Sequence, residues 1–271
     1  MHNDLFTIGS ITIHGYGFMI AMGVLTALFI SFIRSKKLNI DSSPIVDITL
    51  CIVLSAIVGA KLLYIIVNFG EFIKNPISII TGGGFVVYGG IILSFITVGA
   101  YCKIKKLDFL IYSDLALPAI FIGQGIGRIG CLLAGCCYGK PWEHGITFTQ
   151  SQFAPNNIAL FPTQPMMTIL DILGGVLLII LSRTWKPNKG VITSLYLVLY
   201  GIGRIFVEMF RGDAERGFIL GISTSTFISF FIIMVGATML VHKLGIAKCK
   251  NKKKEESVID ESKGQTLTDN S

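Results

Sequence analysis

Apolar positions in this chain do not alternate with polar ones at the period of a strand or an amphipathic helix. They run on for about 20 residues at a time, and short polar stretches separate the runs. That length is what an α-helix needs to cross a bilayer. Seven runs can be drawn, at about 15–33, 45–67, 86–102, 109–133, 164–182, 190–210 and 218–242. The third is the shortest, and Pro118 with several glycines interrupts the fourth, so a division into six spans is the alternative. The pattern predicts an all-α integral membrane protein with seven transmembrane helices.

Charge adds a direction to these spans. Lys and Arg concentrate in alternate connections: Arg34, Lys36 and Lys37; Lys103, Lys105 and Lys106; Arg183, Lys186 and Lys189; and Lys243 with the C-terminal lysines. The other connections hold only Lys74, Lys140, Arg211 and Arg216. Cytoplasmic connections carry the basic excess, so the N-terminus is expected outside and the C-terminus in the cytoplasm. With 52% hydrophobic and 14% charged residues the chain is far from a soluble composition. Its net charge of +7 meets anionic headgroups rather than nucleic acid.

The first 17 residues contain no Lys or Arg, unlike the basic start of a cleaved signal peptide, so the first span is expected to be retained. Residues 1–247 read as one polytopic membrane domain and 248–271 as a disordered basic and polar tail. The connection 134–163 is long enough for a small folded cap.

Lys61, Arg128, Arg204 and Glu208 are ionisable groups inside apolar runs, where a charge is costly and usually serves a function. Tyr200, Arg204, Glu208 and Arg211 recur at helical spacing and are expected on one face of the sixth helix. Arg204 and Glu208 either neutralise one another, or leave two arginines around one acid with positive charge to spare for an anion. Arg128 has no acid within a helical turn. Its planar fork suits a lipid phosphate, the anion a membrane supplies. The glycines of "TGGGFVVYGG" (81–90) read either as an irregular wall of a site or as a simple loop. Cys51 and Cys102 fall in spans as small packing residues. Cys131, Cys136 and Cys137 lack a paired C-x-x-C spacing, which gives a metal centre little support; packing or a disulfide are the other readings.

Five blocks carry a resemblance: "IHGYGFMIAMG" (13–23), "GGFVVYGG" (83–90), "GRIGCLLAGCCYGKP" (127–141), "FPTQ" (161–164) and "YGIGRIFVEMFRGD" (200–213). In this order they resemble the bacterial prolipoprotein diacylglyceryl transferase family, over residues 10–242. The resemblance implies a multi-pass plasma-membrane enzyme. It would take the diacylglyceryl group of phosphatidylglycerol to the lipobox cysteine of a prolipoprotein signal peptide, forming a thioether and releasing glycerol phosphate. No cofactor, metal, nucleotide or nucleic acid is implied.

Carried over residue by residue, Arg128 stands at the signature arginine and would bind the phospholipid phosphate. Arg204 stands at the arginine of the sixth-span block, where it would stabilise the leaving group, with Glu208 orienting it. Tyr16 and Gly139 match the first-span tyrosine and the glycine that closes the signature, and Gly89 and Gly90 complete the glycine block. Four places depart from the pattern, one of them the "PMM" (165–167) that follows "FPTQ" where a tyrosine and an acid are common. Tyr88 replaces a histidine that is the usual general base, although a phenol with a pKa near 10 is a weak base. Cys131 and Cys136 replace an asparagine and a glutamate, and thiols cannot make the same hydrogen bonds. Tyr88 joins Arg204 as an expected catalytic residue, Cys131 and Cys136 join the expected substrate-binding set, and His14 reads either as an interfacial histidine that meets water and headgroups or as a substitute base. The departures keep two further readings open: a paralogue acting on another acceptor, and a non-catalytic phospholipid-binding or transport protein.

Overall fold

The computed structural model describes residues 4–8, 11–213, 217–219 and 221–245. A hairpin of β1 (Asp4–Ile8) and β2 (Ile11–His14) leads directly into α1 (Gly15–Leu38). Then follow α2 (Pro44–Val67), the short α3 (Phe69–Lys74) and α4 (Pro76–Thr81), α5 (Val87–Ile104) and α6 (Phe109–Ala134). After the small sheet of β3 (Pro141–Thr147) and β4 (Ala159–Leu160) come α7 (Thr163–Thr184), α8 (Val191–Glu208), the hairpin β5 (Phe218–Ile219) and β6 (Ile222–Ser223), and α9 (Thr224–Gly245). Seven of these helices are long and apolar enough to cross a membrane, and side chains such as Phe29, Leu54, Phe95, Leu173 and Met234 point outward. The chain is a multi-pass membrane protein, with the seven spans that the apolar runs predict. The tail 248–271 lies outside the described residues.

The chain divides into two units: Leu28–Leu115, and the residues before 28 together with those after 115. In the first, Ile45, Ile48, Tyr112 and Leu115 form the core. Its helices meet through small residues. A Cβ on Gly59 would lie 2.4 Å from the Gly89 carbonyl oxygen, and one on Gly90 2.6 Å from that of Ala56. The hydroxyl of Ser55 also donates to Ser94 across the α2–α5 crossing at 3.1 Å. Van der Waals contact and interhelical hydrogen bonds replace the hydrophobic effect in such a crossing, because lipid is as apolar as leucine.

Two cations read as membrane-embedded or loop charges have structural partners here. Arg34 is a buried residue of α1 rather than part of a connection, and donates to the Leu115 carbonyl of α6. Lys61 donates to the Gly82 carbonyl at 2.6 Å and lies over the rings of Tyr64 and Phe85. Its partner segment 82–86 is non-helical backbone, and Gly84 fits flat against the Tyr64 ring, where a Cβ would approach to 2.1 Å. Within the glycine block, therefore, residues 82–86 are irregular backbone, whereas Gly89 and Gly90 belong to the first turn of α5.

In the other unit, Phe121, Leu178 and Ile192 knit α6, α7 and α8 together. α6 continues unbroken through Pro118, which is buried, and its glycines serve two neighbours. Gly123 meets Gly23 of α1, with a Cβ-to-carbonyl distance of 2.5 Å, and Gly125 meets Thr168 of α7 at 3.0 Å. The seventh span begins later than the apolar run implies. Phe218–Ile219 pairs with Ile222–Ser223 instead, and α9 starts only where the Ser223 hydroxyl accepts from the Thr226 N–H at 3.2 Å, a serine cap.

Candidate functional site

The signature around Arg128 is shaped by how α6 ends. Gly135 adopts φ +76°, Cys136 N–H bonds the Cys131 carbonyl at 3.1 Å, and Gly135 N–H bonds the Leu132 carbonyl at 3.2 Å. This paired arrangement is the Schellman stop, which needs a left-handed residue and so favours glycine. It folds Cys136 back over Cys131. Cys137 follows, also left-handed at φ +58°. The Sγ atoms of Cys131, Cys136 and Cys137 consequently lie within 4.8 Å of one another. All three are free thiols, as are Cys51 and Cys102.

The first turn of α7 holds this pair from the other side. Thr163 Oγ1 donates to the Cys137 carbonyl at 2.7 Å, and Gln164 Nε2 donates to the Cys136 carbonyl at 2.8 Å. Both side chains are almost fully buried. Next along the chain, Gly139 forms a backbone bridge with Arg211. Lys140 N–H bonds the Phe210 carbonyl at 2.9 Å, and Gly212 N–H bonds the Tyr138 carbonyl at 3.1 Å. A Cβ on Gly139 would stand 2.5 Å from the Phe161 carbonyl oxygen, so only glycine fits.

Charge converges on the same end. Arg128 Nη1 lies 4.0 Å from Cys131 Sγ, and its Nε is buried without a hydrogen-bond partner. Arg204 pairs with Glu208 at 3.1 Å and donates to Ser225 of α9 at 2.7 Å, leaving its Nη1 buried without a hydrogen-bond partner. Beside Arg204 is a cavity of about 220 Å³, lined by Asp171, Gln124, Tyr200 and apolar residues of α6, α7 and α8. Gln124 donates to Asp171 at 2.8 Å, and Asp171 lies within the fields of both Arg128 and Arg204.

Arg211 differs from its expected place. α8 stops at Glu208, so Arg211 is not on the face of Tyr200, Arg204 and Glu208; it follows in a tighter turn. Its fork is bidentate on Asp213, and it reaches Glu208 only at 3.9 Å. The count of two arginines per carboxylate therefore omitted Asp213, and one of the two cations is matched. Asp213, Cys137 and Glu208 outweigh burial and hold the Arg211 guanidinium above its ordinary range. Within the thiol cluster, hydrogen bonds from Cys131 and Cys136, then the charges of Arg211 and Arg128, hold Cys137 well below the usual thiol range, while Cys136 is pushed up.

The sequence model of the prolipoprotein diacylglyceryl transferase family matches residues 3–242. The chain belongs to that family. It is similar to the phosphatidylglycerol–prolipoprotein diacylglyceryl transferase of Clostridium tetani (strain Massachusetts / E88), with 46% identity over 86% of this chain and 94% of the relative. Two relatives from Clostridium perfringens (strain 13 / Type A) carry the same name with the suffixes 2 and 1. The first is 39% identical over 83% of this chain and 88% of its own length, the second 33% identical over 96% and 99%.

Within this family member, the structure brings together Arg128, Cys131, Cys136, Gly139, Arg204 and Glu208, on α6, α8 and the connection that follows α6. Tyr16 stands in the first turn of α1, half exposed, with its backbone against Gly130: a Cβ there would lie 3.0 Å from the Tyr16 carbonyl oxygen. Tyr88, Gly89 and Gly90 open α5 in the other unit, where both glycines are buried against α2 and Tyr88 is half-buried. His14 ends β2 and is exposed. Asp171, Gln124, Gln164 and Asp213 were not picked out from the sequence. A carboxylate in the middle of an apolar run was a usable signal for Asp171, as it was for Glu208.

Proposed function

We propose that this chain transfers the diacylglyceryl group of phosphatidylglycerol to the lipobox cysteine of prolipoprotein signal peptides, in the bacterial plasma membrane. The observation that carries the reading is a pair of buried guanidinium nitrogens, Arg128 Nε and Arg204 Nη1, left without hydrogen-bond partners in a chain of this family. Buried donors are nearly always satisfied, so two open ones on cationic forks mark the place of an anion. A phosphodiester headgroup is that anion.

In the reaction, the peptide thiolate forms a C–S bond at the glyceryl carbon while the C–O bond to phosphate breaks, and the electron pair leaves on glycerol phosphate. Arg128 and Arg204 bind the phosphate and stabilise its developing charge, the role of preorganised donors in a dry site. Glu208 holds Arg204 in place one helical turn away. The cavity beside Arg204 receives the glyceryl end of the donor. The thiol proton must pass to a base; Tyr88 stands where the family pattern has a histidine, and Asp171 is the carboxylate that lines the cavity. Tyr16, Gly139 and the thiols of Cys131 and Cys136 shape the headgroup side. The basic excess of alternate connections supports a topology with the N-terminus outside and the C-terminus in the cytoplasm.

The test is mass spectrometry of a lipobox peptide incubated with the purified protein and phosphatidylglycerol, beside an Arg128→Ala control. A diacylglyceryl thioether that disappears in the control supports the reading. Bound phosphatidylglycerol with an unmodified peptide overturns the acceptor and favours the second reading, transfer to a different nucleophile, which the replacement of an amide and a carboxylate by Cys131 and Cys136 motivates.

A further inference from the structure

Three thiols converge at the end of α6 on a scaffold that fixes them independently of one another. The Schellman stop sets Cys136 over Cys131, and the buried Thr163 and Gln164 side chains hold the carbonyls of Cys137 and Cys136. No other group of three or more Cys, His, Asp or Glu among the described residues brings its donor atoms so close. The donor set is all sulfur, which selects soft, thiophilic ions.

The geometry points to a binding site for a soft monovalent d10 cation, Cu(I) in its simplest form, held in trigonal coordination by the thiolates of Cys131, Cys136 and Cys137. With metal–sulfur bonds of about 2.3 Å, a trigonal site needs sulfur–sulfur distances of roughly 4.0 Å. The present separations of up to 4.8 Å are within small side-chain movements of that value. Zinc fits less well, because structural zinc takes four ligands and the cluster offers three. The charge also suits a monovalent ion. One Cu(I) on three thiolates leaves two negative charges, and two guanidiniums, Arg128 and Arg211, lie in their field. Binding forms three Cu–S bonds, releases the thiol protons to solvent and changes no oxidation state. The site borders the headgroup side of the proposed transfer site, with Arg128 Nη1 4.0 Å from Cys131 Sγ, but its test does not require turnover.

The experiment is an anaerobic titration of the reduced full chain in detergent micelles with Cu(I), against the chromophoric chelator bicinchoninate. The chain should withdraw one equivalent of Cu(I). Cys131→Ser or Cys137→Ser should abolish the withdrawal, whereas Cys51→Ser should leave it intact. X-ray absorption on the unmutated, loaded protein should show three sulfur neighbours, a readout that no misfolded variant can imitate. Equal uptake by a Cys131→Ser/Cys136→Ser/Cys137→Ser variant overturns the site. So does the absence of uptake by the reduced chain, or a first shell containing nitrogen or oxygen in place of one of the sulfurs.

Discussion

Gln164, in the first turn of α7, donates its side-chain amide to the carbonyl of Cys136 at 2.8 Å and is almost completely buried. The bond spans 28 residues of sequence and fixes the backbone of the cysteine pair that follows α6. Removing it orphans a carbonyl, so Gln164→Ala should destabilise the protein by about 1–3 kcal/mol. Thermal unfolding in detergent micelles checks this, and Thr163→Val, which deletes the neighbouring bond to Cys137, should lower the midpoint in the same direction.

Arg128→Lys keeps the charge and loses the fork. A single point charge cannot hold two phosphate oxygens in a plane. If one charge-assisted hydrogen bond is lost, worth about 1.5–3 kcal/mol, kcat/KM for a lipobox peptide should fall by roughly 10- to 100-fold. An unchanged kcat/KM would remove Arg128 from phosphate binding.

Tyr88→Phe removes only a phenolic hydroxyl. If that group takes the thiol proton, kcat should fall by about 100-fold or more. Turnover at the parent rate would shift the role of base to another group, with Asp171→Asn the next variant to assay.

Gly89→Ala and Gly83→Ala are a matched pair that separates packing from flexibility. On Gly89 the new methyl would meet the Gly59 carbonyl oxygen at 2.2 Å, whereas on Gly83 it meets nothing within 4 Å. Overpacking should cost the first variant roughly 1–3 kcal/mol, and the second should stay within about 0.5 kcal/mol of the parent. Equal melting temperatures for the two would mean that the α2–α5 crossing is looser than described.

Asp213→Asn should be worse tolerated than its position near a chain turn implies. Arg211 is buried and bidentate on Asp213, and removing one partner of a buried pair costs up to about 3–5 kcal/mol. The unmatched guanidinium would also compete with Arg204 for Glu208. The melting temperature and the KM for phosphatidylglycerol should therefore shift together, and a change confined to one of them would show that the two arginines are uncoupled.

The spans were legible because a bilayer demands long apolar runs, a signal that needs no knowledge of packing. What the runs could not show is where the chain stops being helical for other reasons. Phe218, Ile219 and Ile222 are as apolar as the helix that follows, yet they lie in paired strands, and the Ser223 cap decides the start of α9. α3 and α4 are too short to leave a periodic trace. The arginines were visible as charges in apolar sequence, but their partners were not. Arg34 found a carbonyl 81 residues away, while Arg211 found an acid only two residues on, within a block read for its helical spacing. The clustering of the cysteines was hidden for a related reason. Linear spacing tests for ligands on one strand or hairpin, and here a helix stop and a left-handed residue bring the third sulfur in.

The backbone bridge between Gly139 and Arg211 joins positions about 70 residues apart. A polytopic chain is made and inserted from its N-terminus, so the segment after α6 emerges long before its partner exists. Until α8 is complete, the polar backbone of residues 138–140 has nothing to pair with except Phe161 and water. Assembly of this end of the protein is therefore a late event in biogenesis, and in a chain arrested after α7 the backbone of residues 138–140 should be open to a protease that the finished protein resists.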